Sequence, residues 1–146
     1  MKPEPEYDNY LPGADKLLNK KCIITGGDSG IGRAVAIAFA KEGADVAIIY
    51  LSEHKDAEDT ARMIEERYQK KCLTIAADIS KEAKCKNAVE RILKKFDTVD
   101  VLVNNAAIHY PAEKLEDITT EQLTKTFSVN VFSMFLDNQS CFAKNE

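Results

Sequence analysis

The chain has 146 residues, 45% apolar and 30% charged, with a formal net charge of −4. This is the balance of a globular chain long enough to bury a core, and the lack of a basic excess argues against a nucleic-acid binder. The longest apolar run, residues 46–51, is far too short to span a bilayer, and Lys2-Pro3-Glu4-Pro5-Glu6 lacks the apolar stretch of a signal peptide.

Residues 1–19, rich in Pro and Glu at the start, read as an extended acidic arm that Tyr7, Tyr10 and Leu11 can pin to the domain. A regular alternation follows. The first strand is Lys21–Thr25, and its helix, Gly30–Lys41, carries Ile31, Ala34, Val35, Ala38 and Phe39 at helical spacing, with Gly43 closing it. Asp45–Tyr50 is a second buried strand. Residues 55–69 form a helix with Ala57, Ala61, Ile64 and Tyr68 on one face. Cys72–Ala76 is a third strand, after which Ser80 caps a helix to about Lys95 with Val89, Ile92, Leu93 and Phe96 as its apolar stripe. Residues 99–103 make a fourth strand, and Thr119 or Thr120 starts a last helix bearing Leu123, Phe127 and Val131. Near-continuous apolar strands separated by helices predict a doubly wound parallel α/β sheet, Rossmann-like, in the order 3-2-1-4.

Cys22, Cys72, Cys85 and Cys141 stand far apart without a CxxC pair, and are read as reduced, partly buried thiols. His54 and His109 are isolated, so no metal site is expected. Together these features predict a cytoplasmic protein.

The chemistry sits in Thr25-Gly26-Gly27-Asp28-Ser29-Gly30-Ile31-Gly32. A glycine-rich turn between a strand and an amphipathic helix lets a diphosphate approach the backbone and meet the unpaired N–H groups of the helix N-terminus. The spacing is G-x-x-x-G-x-G, and no Lys-Ser or Lys-Thr follows as a P-loop requires. Nucleotide binding is therefore favoured over a plain strand-to-helix turn.

With Asp78 after the third strand, Asn104-Asn105-Ala106-Ala107 after the fourth and Asn130 beyond, the chain resembles the short-chain dehydrogenase/reductase family from about Lys20 to Phe135. The arm, Gly26-Gly27-Asp28-Ser29 and Glu42-Gly43-Ala44-Asp45 resemble its bacterial general-stress and glucose-dehydrogenase-like branch. The resemblance implies an NAD- or NADP-dependent oxidoreductase moving a hydride between a nicotinamide and a small carbonyl or alcohol substrate, and a homo-oligomer. It implies that Thr25, Gly26, Ser29, Gly30, Ile31 and Gly32 shape the diphosphate loop. Asp78, with Ile79 beside it, would meet the adenine, and Tyr50 would lie at the ribose end. Asn104 would tie the fourth strand to its neighbours, Asn105, Ala106 and Ala107 would line the ribose and nicotinamide side, and Asn130 would be the helix-kinking member of the catalytic tetrad. Ala107 stands where the family pattern has glycine. Tyr50-Leu51-Ser52 at the end of the second strand is neither acidic nor basic, which leaves NAD and NADP both open.

The family's catalytic Ser, Tyr and Lys would follow Asn130, and the 146 residues contain no such set there. Tyr110-Pro111-Ala112-Glu113-Lys114 has the Y-x-x-x-K spacing, but it precedes Asn130 and Pro111 unsuits it to a helix interior. Residues 136–146 also depart from the family pattern. One permitted coding of this tail, read one base later, gives Trp-Ile-Thr-Lys-Ala-Ala-Leu-Pro-Lys-Met, which restores that pattern. The expectation is a C-terminally truncated, inactive chain with an aberrant tail, created by a frameshift near the Phe135 codon or natural to a short variant. Such a chain would expose its fourth strand as an edge and self-associate.

Overall fold

In the computed structural model of the chain, residues 2, 3, 5–9 and 11–142 are described. Four parallel strands, β1 (Lys21–Thr25), β2 (Asp45–Tyr50), β3 (Cys72–Ala76) and β4 (Val101–Val103), form one sheet in the order β3-β2-β1-β4. The register sets Ile23 between Ala47 and Leu102. Because successive side chains point to opposite faces, one apolar run serves two cores. Cys22, Ile24, Val46 and Ile48 pack under α1 (Gly30–Lys41) and α2 (His54–Tyr68), where Ala36, Ile37, Ala57 and Ile64 are buried. Ile23, Ala47, Ile49 and Ile75 pack under α3 (Glu82–Phe96) through Ala88, Val89, Ile92 and Phe96.

Expected boundaries shift at three elements. The α2 helix starts at His54, one residue early, and β4 starts at Val101 although Val99 is already buried. Ser80 does not cap α3. Lys81 is the N-cap, and the Ser80 hydroxyl instead donates to Asp78 Oδ1 at 2.6 Å. Beyond β4, a loop and a short 3-10 turn (Leu115–Asp117) lead to α4 (Thr120–Phe127). Thr119 and Gln122 start α4 with reciprocal side-chain-to-backbone bonds of 3.1 and 3.0 Å. A π-helical turn, Ser128–Phe132, joins α4 to α5 (Ser133–Phe142). Leu123, Phe127 and Val131 form a stripe as the periodicity predicts, but this stripe is exposed, not buried.

Tyr7 pins the arm, packing on the α1–α2 core beneath the Arg33 guanidinium, 5.3 Å from its ring centroid. Asp8 adds an ion pair to Lys41 at 2.9 Å and accepts from the Tyr68 hydroxyl. Leu11 is exposed, and Tyr10 lies outside the described residues. At the other end α5 continues without a break past Phe135 and lies against α3, burying Ser133, Asp137 and Cys141. Residues 143–146 of the tail lie outside the described residues.

Candidate nucleotide site

A cleft of about 510 Å³ opens at the C-terminal ends of the strands, where the chain leaves β1 between its neighbours β2 and β4. This is the switch point at which open α/β sheets take ligands, and the volume is in the range of cofactor pockets. Of the residues singled out from sequence, Gly26, Ser29, Ile31, Gly32, Tyr50, Asp78, Ile79, Asn105, Ala106 and Ala107 line it. Thr25, Gly30 and Asn130 do not.

The floor is the glycine turn. Gly26 donates its N–H to Ile49 O at 2.7 Å, anchoring the turn to β2. Gly32 sits so close beneath it that a Cβ would lie 2.0 Å from Gly26 O and 2.6 Å from Asn105 Nδ2. Gly30 has φ +53°, a left-handed conformation, and a Cβ there would meet only open space. Ser29, the N-cap of α1, makes no side-chain capping bond, so the first-turn N–H groups stay available to an anion. A glycine-rich turn leading into an uncapped helix N-terminus fits a diphosphate.

The β4 wall is held by Thr25 and Asn105. Thr25 is buried, and its hydroxyl oxygen accepts from the N–H groups of Asn105 and Ala106, both at 3.0 Å. The Asn105 amide donates to Thr25 O at 3.0 Å and Gly26 O at 3.2 Å. The tie between the fourth strand and β1 expected of Asn104 is thus made by Asn105, and Asn104 Oδ1 is buried without a hydrogen-bond partner. Asn130 lies in the π-helical turn, accepting from Ile108 N at 2.8 Å and donating to Ile108 O at 2.9 Å. It therefore clamps the end of the wall that Ala106, Ala107 and Ile108 form.

On the opposite side, Asp78 Oδ1 accepts from the Ser80 hydroxyl and N–H, and Oδ2 faces the Lys125 ammonium at 3.2 Å. Burial raises its pKa, but the Ser80 bonds and Lys125 outweigh that and hold the carboxyl below the usual range. Asp78 is thus an anchored carboxylate in the lining of the cleft. The Tyr50 hydroxyl lies 2.8 Å from His54 Nδ1, its pKa raised by burial and by the Glu58 and Asp28 carboxylates. Sequence reading missed Asp28, Glu53, Ile108, Lys125 and Val129 as lining residues. Lys125 was in principle detectable, one turn before Val129 on the helix approaching Asn130. The Tyr110–Lys114 pair lies in the loop after β4, outside any helix and exposed. Among the described residues no group of three His, Cys, Asp or Glu could hold a metal ion, and no helix is long and apolar enough to cross a membrane.

The sheet order, the glycine turn at the switch point and the carboxylate facing it define a doubly wound α/β protein built around a nucleotide cleft. Residues 20–144 match the short chain dehydrogenase family, and the chain belongs to that family. It is 53% identical over 137 residues to general stress protein 39 of Bacillus subtilis, covering 92% of this chain and 47% of that protein. A short chain dehydrogenase from Burkholderia cenocepacia solved with NADP superposes with a TM-score of 0.83 at 35% identity, covering 87% of this chain and 51% of that one. A 3-ketoacyl-(acyl-carrier-protein) reductase from Brucella melitensis solved with NADH gives 0.79 at 39% identity, covering 88% and 52%. The chain spans about half the length of the relatives it matches.

Proposed function

We propose that the cleft binds the adenosine and diphosphate of a nicotinamide dinucleotide, as the cofactor half of an oxidoreductase that moves a hydride between that cofactor and a carbonyl or alcohol. The observation that carries this reading is the Gly26–Gly32 turn leading into the uncapped start of α1. Bound there, the dinucleotide supplies the hydride chemistry, and the chain supplies position. Gly26, Ser29, Gly30, Ile31 and Gly32 hold the diphosphate, Thr25 fixes the loop from behind, and Asp78 and Ile79 receive the adenine. Tyr50 stands at the ribose end, and Asn105, Ala106 and Ala107 face the nicotinamide side. Asn130 positions the wall through Ile108.

The acid/base tyrosine and its lysine are not among residues 131–146, so the 146-residue chain binds cofactor without turning it over. The burial of α5 supports the frameshift reading of the tail. Asp137 and Cys141 are buried, and the alternative frame places isoleucine and alanine at these positions. Four buried, unpaired thiols suit a reducing cytoplasm.

Fluorescence titration with NADH, followed by an NAD(P)H oxidation assay against aldehydes, ketones and sugars, tests this reading. Saturable binding without turnover is expected. Turnover would contradict the non-catalytic reading, and absence of binding would contradict the cofactor site.

A further inference from the structure

Among the described residues, the end of the cleft beside β2 is lined by carboxylates and by no Lys or Arg. Asp28 and Glu53 both line it, flanking Tyr50, Leu51 and Ser52. Glu53 is the N-cap of α2 but makes no capping bond, and its Oε1 accepts only from the Ser52 hydroxyl at 3.2 Å. The α2 N-terminus would attract an anion, yet Glu53 and the first-turn Asp56 already place two carboxylates there.

The nearest guanidinium, Arg33, is committed elsewhere. Its Nε donates to Asp28 O and Thr60 Oγ1, both at 2.9 Å. Its Nη2 donates to Asp28 O at 2.6 Å and Asp56 O at 3.1 Å, and the Asp56 carboxylate lies 3.7 Å away. Its side chain is only 12% exposed. Lys55 is paired with Asp59 at 2.8 Å. Lys125, the one Lys or Arg among the described residues lining the cleft, is held by Asp78 and Ser80 on the other side.

A dinucleotide whose diphosphate rests on this glycine turn directs its adenosine ribose 2′-position toward the end of the second strand, about 20 residues on from the turn. A 2′-hydroxyl can donate to a carboxylate there, whereas a 2′-phosphate meets like charge with no Lys or Arg among the described residues lining that end. We propose that Asp28 and Glu53 make the cleft selective for NAD over NADP. This rests on the dinucleotide reading of the site and adds residues that decide which dinucleotide enters.

The experiment is a pair of titrations of the full 146-residue chain with NADH and NADPH at low and high salt, repeated for Glu53→Lys. The expected result is tighter binding of NADH by about tenfold or more, a gap that narrows with salt as the repulsion is screened. Glu53→Lys is expected to narrow or reverse the gap, by improving NADPH binding and by removing a carboxylate that accepts from the 2′-hydroxyl of NADH. Equal or tighter NADPH binding by the unaltered chain overturns the proposal, as does a gap insensitive to salt. These two results need no variant, so a poorly folding Glu53→Lys does not shield the idea. Failure to bind either dinucleotide removes the cofactor reading itself, an outcome distinct from binding both alike.

Discussion

Gly30 and Gly32 both lie in the first turn of α1 but are glycine for different physical reasons, and substitution separates them. Gly32→Ala would press a methyl group against Gly26 O, a backbone atom 2.0 Å away, and against Asn105 Nδ2. The turn and the β4 wall must both shift, and urea unfolding should show a loss of about 1–3 kcal/mol. Gly30→Ala meets no atom, but its φ of +53° costs about 1–2 kcal/mol, and it alters the first residue of α1, where the N–H groups offered to a diphosphate begin. It should weaken dinucleotide binding more than its stability loss explains.

Asp137 is a third residue with a measurable signature. It is fully buried, accepts from the Cys85 thiol at 2.6 Å through Oδ1, and leaves Oδ2 without a partner. Burial raises its pKa above the ordinary 3.8, only partly offset by the Cys85 bond. The folded chain therefore holds this proton more tightly than the unfolded chain. Its contribution favours folding below the ordinary value and is lost as pH rises through the folded-state value. Urea unfolding of the chain and of Asp137→Asn from about pH 4 to pH 8 should show this downward component in the chain alone. Asp137→Ile should be more stable than the chain by about 1–3 kcal/mol at neutral pH. A less stable isoleucine variant would count against the frameshift account of the tail.

Among the elements, the segment from α4 to α5 joins the most sequence information to the least. Its start was legible to within a residue, at Thr119 or Thr120, and Asn130 was singled out by the family resemblance. Its course was not legible. The register that widens into a π-helical turn at Ser128–Phe132 follows from the Asn130 amide reaching both backbone groups of Ile108, a contact between residues 22 apart. Asn130→Ala leaves the half-buried N–H and C=O of Ile108 wanting partners, and a loss of about 1 kcal/mol is expected. Amide exchange should show the Ala106–Ile108 wall loosening while β2 stays protected.

The same limit explains the two asparagines after β4. Adjacent residues of an extended chain point to opposite sides, so a one-residue difference decides whether Asn104 or Asn105 reaches β1. Composition cannot choose between them. Asp28, Glu53 and Lys125 escaped sequence reading for a related reason, since each enters the cleft from an element whose placement only the packed sheet defines. Strand order and the glycine turn were legible because hydrophobic periodicity and crossover handedness leave few alternatives.

For the whole molecule, β4 stands at the edge of the sheet with the apolar sequence Val101-Leu102-Val103, a run suited to a sheet interior. The exposed Leu123, Phe127, Val131 and Phe135 repeat every fourth residue along the helical segment that follows. Apolar surface on this scale leads a chain to associate. Sedimentation velocity across a wide concentration range is expected to show concentration-dependent self-association. A single monomeric species throughout would contradict this.

The central claim is that the glycine turn, Asp78 and the Asn105–Ala107 wall form one dinucleotide cleft. The most direct test is amide chemical-shift mapping of the isotope-labelled chain titrated with NADH. The account predicts saturable shifts concentrated at Gly26–Gly32, Asp78–Ile79 and Asn105–Ala107, with the α3–α5 seam unmoved. No shifts, or shifts centred away from the glycine turn, would contradict it.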